Sequence, residues 1–205
     1  MVGDNSGSYG AFLDRPDTQL NAWDDVGGSA RHYQASNLFF EYLIEQTGGP
    51  VQLVAAQQEN GVAGVRAYLE QTGASRTVAE LVADWTAANF IDAPSGRYGY
   101  GELEVSPPIA FEVTESGSRQ ISQFAADYLL IEADHFGPGT VFEFEGAEQV
   151  PVVAAQAEAD GAFWWSGRGD NIDSTLTKEL DLTGVTEATL TFRTWFDIEE
   201  WYDYA

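Results

Sequence analysis

The stretch His32-Tyr33-Gln34-Ala35-Ser36-Asn37-Leu38-Phe39-Phe40-Glu41-Tyr42-Leu43 decides how the first half of the chain folds. Ala35, Leu38, Phe39, Tyr42 and Leu43 recur at the i, i+3, i+4, i+7, i+8 spacing that gathers apolar side chains on one face of an α-helix. Gly48, Gly49 and Pro50 stop it, because glycine accepts the left-handed cap and proline cannot continue a helix. Working outward, a short helix is expected over 51–59, stopped by Asn60-Gly61, and another over 62–72, stopped at Gly73. Thr77-Val78-Ala79-Glu80 fits a capping box, in which threonine and glutamate satisfy each other's open backbone donors. Val78, Leu81, Val82 and Trp85 then form one apolar stripe that ends before Asp92-Ala93-Pro94. Upstream, residues 1–29 read as loop, interrupted by apolar residues at Phe12, Leu13 and Leu20–Trp23.

Past Pro94 the pattern changes. Gly96 to Gly101 reads as a tightly turned loop, and Pro107-Pro108 marks a boundary. Beyond it the period is mostly two: Phe142 and Phe144 alternate with glutamates, and Ala188, Leu190, Phe192 and Thr194 share one face of an expected strand. Helices first and strands afterwards define an α+β chain of separate units rather than an alternating α/β sheet.

Nine basic side chains face 33 acidic ones among the 205 residues, a formal net charge of −24. Nucleic acid and anionic membrane surfaces both require basic groups, so neither is an expected partner. An acidic surface suits cations, calcium among them, and also keeps a protein soluble without any ligand. The 44% hydrophobic and 13% aromatic content supplies an ordinary globular core. With no cysteine, disulfides, thiolate metal sites and cysteine nucleophiles are excluded. No run of about 18 apolar residues is present to span a membrane. Met1-Val2-Gly3-Asp4-Asn5 has neither the basic nor the apolar part of a signal peptide. The expectation is therefore either a cytosolic protein or one whose true N-terminus lies elsewhere. The chain stops at Trp201-Tyr202-Asp203-Tyr204-Ala205, inside an aromatic stretch that reads as truncated.

The two histidines, His32 and His135, lie far apart, and no His-Glu-x-x-His occurs, so the usual two-histidine, one-carboxylate zinc site cannot be assembled. No Gly-x-Ser-x-Gly elbow supports a serine nucleophile. His32 and Tyr33 open the strongest helix, where side chains project into a pocket more readily than in mid-helix. Periodicity alone equally describes His32 as a half-buried helix-start residue. His135, beside Phe136-Gly137-Pro138-Gly139, reads as a turn residue. The richest oxygen-ligand stretches are Asp170, Asn171 and Asp173, then Asp197, Glu199 and Glu200, with Asp203 beyond. Calcium takes six to eight such hard ligands, and two loops brought together would supply them; the same residues also read as solvated acidic turns.

Residues 167–185, Gly-Arg-Gly-Asp-Asn-Ile-Asp-Ser-Thr-Leu-Thr-Lys-Glu-Leu-Asp-Leu-Thr-Gly-Val, together with the Trp-Phe-Asp-Ile-Glu-Glu run at 195–200 and its Trp-Tyr-Asp-Tyr-Ala continuation, closely resemble a β-sandwich module of the immune inhibitor A family. That family comprises secreted bacterial zinc peptidases. Phe12 to Trp23 and the helix from His32 to Leu43 are similar to the region that follows the active-site helices in gluzincin-type peptidases. The resemblance implies a zinc-dependent endopeptidase acting on proteins or peptides, extracellular or at the cell surface. Its zinc ligands and general-base glutamate have no counterpart here, so the chain by itself is expected to be inactive. It further implies that His32 or Tyr33 steadies the oxyanion of the transition state. Residues 1–105 would then be the helical tail of a zincin-like catalytic domain, 106–155 a small β region or bridge, and 156–205 the beginning of a jelly-roll-like β-sandwich, cut short. The alternative is a non-catalytic calcium- or carbohydrate-binding β-sandwich with a helical companion.

Overall fold

Trp85 organises the helical core. Its indole stacks on Phe12 at 5.5 Å with the rings 5° from parallel, and meets Phe39 edge-on at 5.4 Å. In the computed structural model the described residues are 9–23, 28–101, 103–151, 153, 155, 161–167, 172–196 and 198. The chain divides into two units, residues 1–140 and 141–205.

Among the described residues of the first unit, five helices precede two short strands: α1 Gly10–Leu13, α2 Ser29–Thr47, α3 Val51–Ala55, α4 Gly61–Thr72, α5 Val78–Ile91, β1 Ala110–Glu112 and β2 Tyr128–Leu130. The apolar stripe of α2 is buried at all five expected positions, Ala35, Leu38, Phe39, Tyr42 and Leu43. Helices α2 and α4 end on Gly48 and Gly73 at φ 63° and 71°, a conformation that costs glycine little and other residues more. The Thr77–Glu80 capping box is formed in full at the start of α5. Asp92 closes α5 at φ 41°, and its Oδ2 accepts the Val105 backbone N–H at 2.8 Å, which ties the loop after the helix to its end.

Two local expectations change. Gly10–Leu13 is helix rather than loop and, with Tyr9 before it, belongs to the core: Tyr9, Phe12 and Leu13 are buried, and the Ile109 N–H donates to the Leu13 carbonyl at 2.9 Å. The short helix after Pro50 spans Val51–Ala55, not 51–59.

The two strands pair in parallel, with Ala110 opposite Tyr128, Phe111 opposite Leu129 and Glu112 opposite Leu130. Tyr128 fastens this pair to the helices: its hydroxyl donates to the Thr86 carbonyl at 2.7 Å and its ring stacks on Phe90 at 5.5 Å. After β2 the chain makes a single 3-10 turn, Ala133–His135. No helix among the described residues is long and apolar enough to cross a membrane.

The described residues of the second unit contain turns but no paired strand. The Val185 N–H donates to the Leu182 carbonyl at 3.0 Å, and the Ser174 hydroxyl to the Ser166 carbonyl at 2.8 Å. The strands expected around 142–144 and 188–194 do not form ladders there, and Phe144, Trp164 and Leu190 are 89%, 79% and 76% exposed. Period-two alternation becomes a sheet only when a neighbour supplies ladder bonds and a second layer covers the apolar face. Neither is present among these residues.

Candidate functional site

Three groups of polar side chains stand out in the first unit, the first being the N-terminal turn of α2. Consecutive helical residues point about 100° apart. His32 falls in phase with the buried stripe and is 4% exposed, whereas its neighbour Tyr33 is 65% exposed. Trp23 contacts both, its ring 5.6 Å from the His32 ring and 4.6 Å from the Tyr33 ring, edge-on. The two candidates for oxyanion stabilisation therefore separate: the imidazole belongs to the interior, and the phenol faces solvent. His32 is more deeply buried than periodicity alone implies.

The second group lines an open cavity of about 340 Å³ between the residues after α1 and the strand pair. Arg15, Arg31 and Arg119 share its wall with Asp14, Asp17 and Asp127. Arg119 Nε lies 2.7 Å from Asp127 Oδ2, and its guanidinium sits 3.7 Å above the Phe111 ring. Asp17 Oδ1 accepts the Ser122 N–H at 2.6 Å, which pins the crossover between the strands to the loop after α1. Three arginines against three aspartates make a mixed-charge groove, suited to a dipolar group rather than to a bare anion or cation.

The third group is Glu112, Glu132 and His135, whose ligand-type atoms all lie within 4.8 Å of one another. Glu112 Oε1 is 3.5 Å from His135 Nδ1, and Glu132 Oε2 is 4.0 Å from His135 Nε2. The fold explains the meeting. Glu112 pairs with Leu130 in the parallel register, and Glu132 lies two residues further on, so strand alternation returns it to the same face. The ladder continues through the Val113 N–H, which donates to the Leu130 carbonyl at 2.9 Å. The His135 N–H then donates to the Glu132 carbonyl at 3.1 Å, and that turn sets the imidazole over the second carboxylate. All three side chains are exposed. His135 occupies the turn expected of it and lies beside both carboxylates there. The sequence carried a local sign of it, the Glu132-Ala133-Asp134-His135 spacing, which puts a carboxylate and an imidazole one turn apart.

The expected calcium ligands Asp170, Asn171, Asp197, Glu199, Glu200 and Asp203 lie outside the described residues, and Asp173 is exposed. A peptidase zinc site with two histidines on one helix does not fit the described residues. His32 is interior to α2, and His135 has only carboxylates as metal-type neighbours.

Comparison with known proteins relates the second unit to metallopeptidases. Residues 145–205 match the sequence profile of the family described as Immune inhibitor A-like, MAM domain. This part of the chain is thus related to a peptidase-associated, immune inhibitor A-like module. A stretch of 48 residues is 42% identical to the pre-pro-metalloprotease PrtV of Vibrio cholerae serotype O1, in strain M66-2 and equally in strain ATCC 39315 / El Tor Inaba N16961. That stretch is 23% of this chain and 5% of each relative, so the chain corresponds to only a small part of the curated relatives it matches. No solved structure matches the chain significantly.

Proposed function

We propose that this chain is part of a secreted, zinc-dependent endopeptidase acting on proteins or peptides. In this reading residues 1–105 continue a zincin-like catalytic domain, and residues 156–205, inside the matched stretch 145–205, begin an accessory β-sandwich. The observation that carries the reading is the match of residues 145–205 to the immune inhibitor A-like module, reinforced by the 42% identity to a metalloprotease. The zinc, which polarises the scissile carbonyl and activates water in such enzymes, would be held by residues other than those described here. The part left to this chain is packing and the presentation of a donor to the oxyanion. The Trp85 core holds α2, and α2 presents Tyr33 at its first turn.

The test is the coding sequence contiguous with Met1 and the activity of its full product. A His-Glu-x-x-His within about one small domain before Met1, with casein cleavage that a chelator abolishes and zinc restores, is the expected result. Absence of that motif, or cleavage indifferent to chelation, overturns the proposal.

A further inference from the structure

We infer that Glu112, Glu132 and His135 form a binding site for a first-row divalent metal ion such as zinc, separate from any peptidase centre. The donor set is two carboxylates and one imidazole, which suits transition ions; calcium prefers oxygen ligands alone and more of them. Zinc holds ligand atoms at about 2.0–2.2 Å, which places neighbouring ligands about 3.5 Å apart around a tetrahedron. Glu112 Oε1 and His135 Nδ1 are already 3.5 Å apart, and all three donors lie within 4.8 Å. Glu132 Oε2 lies beside the other ring nitrogen, Nε2, at 4.0 Å, so closing the set on one nitrogen requires rotation of the exposed side chains, and exposure leaves room for that rotation and for water at the fourth position.

Charge points the same way. Among the described residues no lysine or arginine pairs with Glu112 or Glu132; the group beside both carboxylates is the His135 ring. Arg119, in the crossover between the strands, is held by Asp127 and lies over Phe111, whose side chain alternates to the other face from Glu112. The backbone beneath the donors is fixed by the parallel register and by the 3-10 turn, so ligands distant in sequence are presented together before any ion arrives. A bound ion would clamp β1 to the segment after β2, closing a crossover whose strands are only three residues each. The site involves residues 112–135, outside the stretch that matches the peptidase family, so it does not depend on the functional reading above.

The test uses the full 205-residue chain without a histidine tag, stripped with a chelator and titrated calorimetrically with zinc. Cobalt(II) serves as a spectroscopic probe. The expected result is one zinc per chain, a visible cobalt band, and a rise in thermal midpoint with zinc that calcium does not reproduce. Glu112→Gln and His135→Ala should each weaken zinc binding by at least about tenfold, whereas Asp134→Asn, which removes a neighbouring charge but no ligand, should leave it unchanged. The exposed positions permit these changes without loss of fold, which far-UV circular dichroism checks. Absence of zinc heat and of a cobalt band overturns the inference. So does an affinity unaltered in His135→Ala, or lowered equally by Asp134→Asn.

Discussion

The Tyr100 hydroxyl donates a hydrogen bond to the Asn89 side-chain oxygen inside the helical unit, with Asn89 fully buried. A second tyrosine that follows in the chain, Tyr128, reaches the same helix by donating to the Thr86 carbonyl at 2.7 Å. A buried acceptor that loses its donor pays the desolvation cost with nothing in return. Tyr100→Phe should therefore lower stability by about 1–3 kcal/mol. Urea denaturation of the two proteins measures this directly, and equal midpoints would show that the bond contributes nothing net.

The same burial predicts alkaline behaviour. Loss of solvent pushes the Tyr128 hydroxyl up to about 12 from an ordinary 10.0, and burial raises Tyr100 as well. Between pH 10 and 12 the folded chain keeps protons that the unfolded chain releases. Stability from Tyr128 is complete below pH 10 and is lost as pH climbs through 12. Ultraviolet titration of tyrosinate should show these groups ionising late in the native protein and together with the rest in denaturant.

Trp85 tests the core. Its ring is 1% exposed and contacts Phe12 from α1 and Phe39 from α2, so its removal strips packing from three helices at once. Trp85→Ala should cost about 3–5 kcal/mol, read from the denaturation midpoint.

What the sequence made legible follows from how local each signal is. The α2 stripe, its glycine stop and the Thr77 capping box involve residues within two turns of one another, and each appears where expected. Helix α1 has four residues, too few to show a period, and its apolar side chains acquire meaning only against Trp85. Glu112 and His135 are 23 positions apart, and the parallel register that joins their neighbourhoods has no short-range signature. The α2 pair was legible only in part: periodicity describes His32 as a half-buried helix-start residue, and packing against Trp23 and the core buries it beside an exposed Tyr33. The alternating residues of the second unit illustrate the converse. Their pattern is clear in the sequence, but its partner strands are not among the described residues, and the pattern alone builds no sheet.

The capping box supplies a smaller prediction. The Thr77 side chain accepts the Glu80 N–H at 3.2 Å, and Glu80 Oε2 accepts the Thr77 N–H at 2.8 Å. Thr77→Ala should cost about 1 kcal/mol. The hydrogen bonds from Thr77 hold the Glu80 carboxyl below its ordinary 4.5. Its contribution is therefore present above pH 4.5 and fades as the pH falls through the lowered value. Fluorescence-monitored denaturation at neutral and acid pH should show the wild-type advantage over Thr77→Ala shrinking toward acid.

The separation of His32 from Tyr33 sharpens the catalytic proposal into an experiment with two different outcomes. A donor to an oxyanion must reach the substrate, and of this pair Tyr33 is the exposed member, its ring braced edge-on by Trp23 at 4.6 Å. In the full-length peptidase, Tyr33→Phe should keep the thermal midpoint and lower kcat by about 10²–10³, the cost of one lost oxyanion donor, with little change in KM. His32 is buried against the same tryptophan, so His32→Ala should act first on stability and lower the midpoint. Wild-type kcat in a folded Tyr33→Phe enzyme would remove Tyr33 from the mechanism. A large kcat loss in His32→Ala at unchanged midpoint would instead mean that the imidazole leaves the interior when substrate binds.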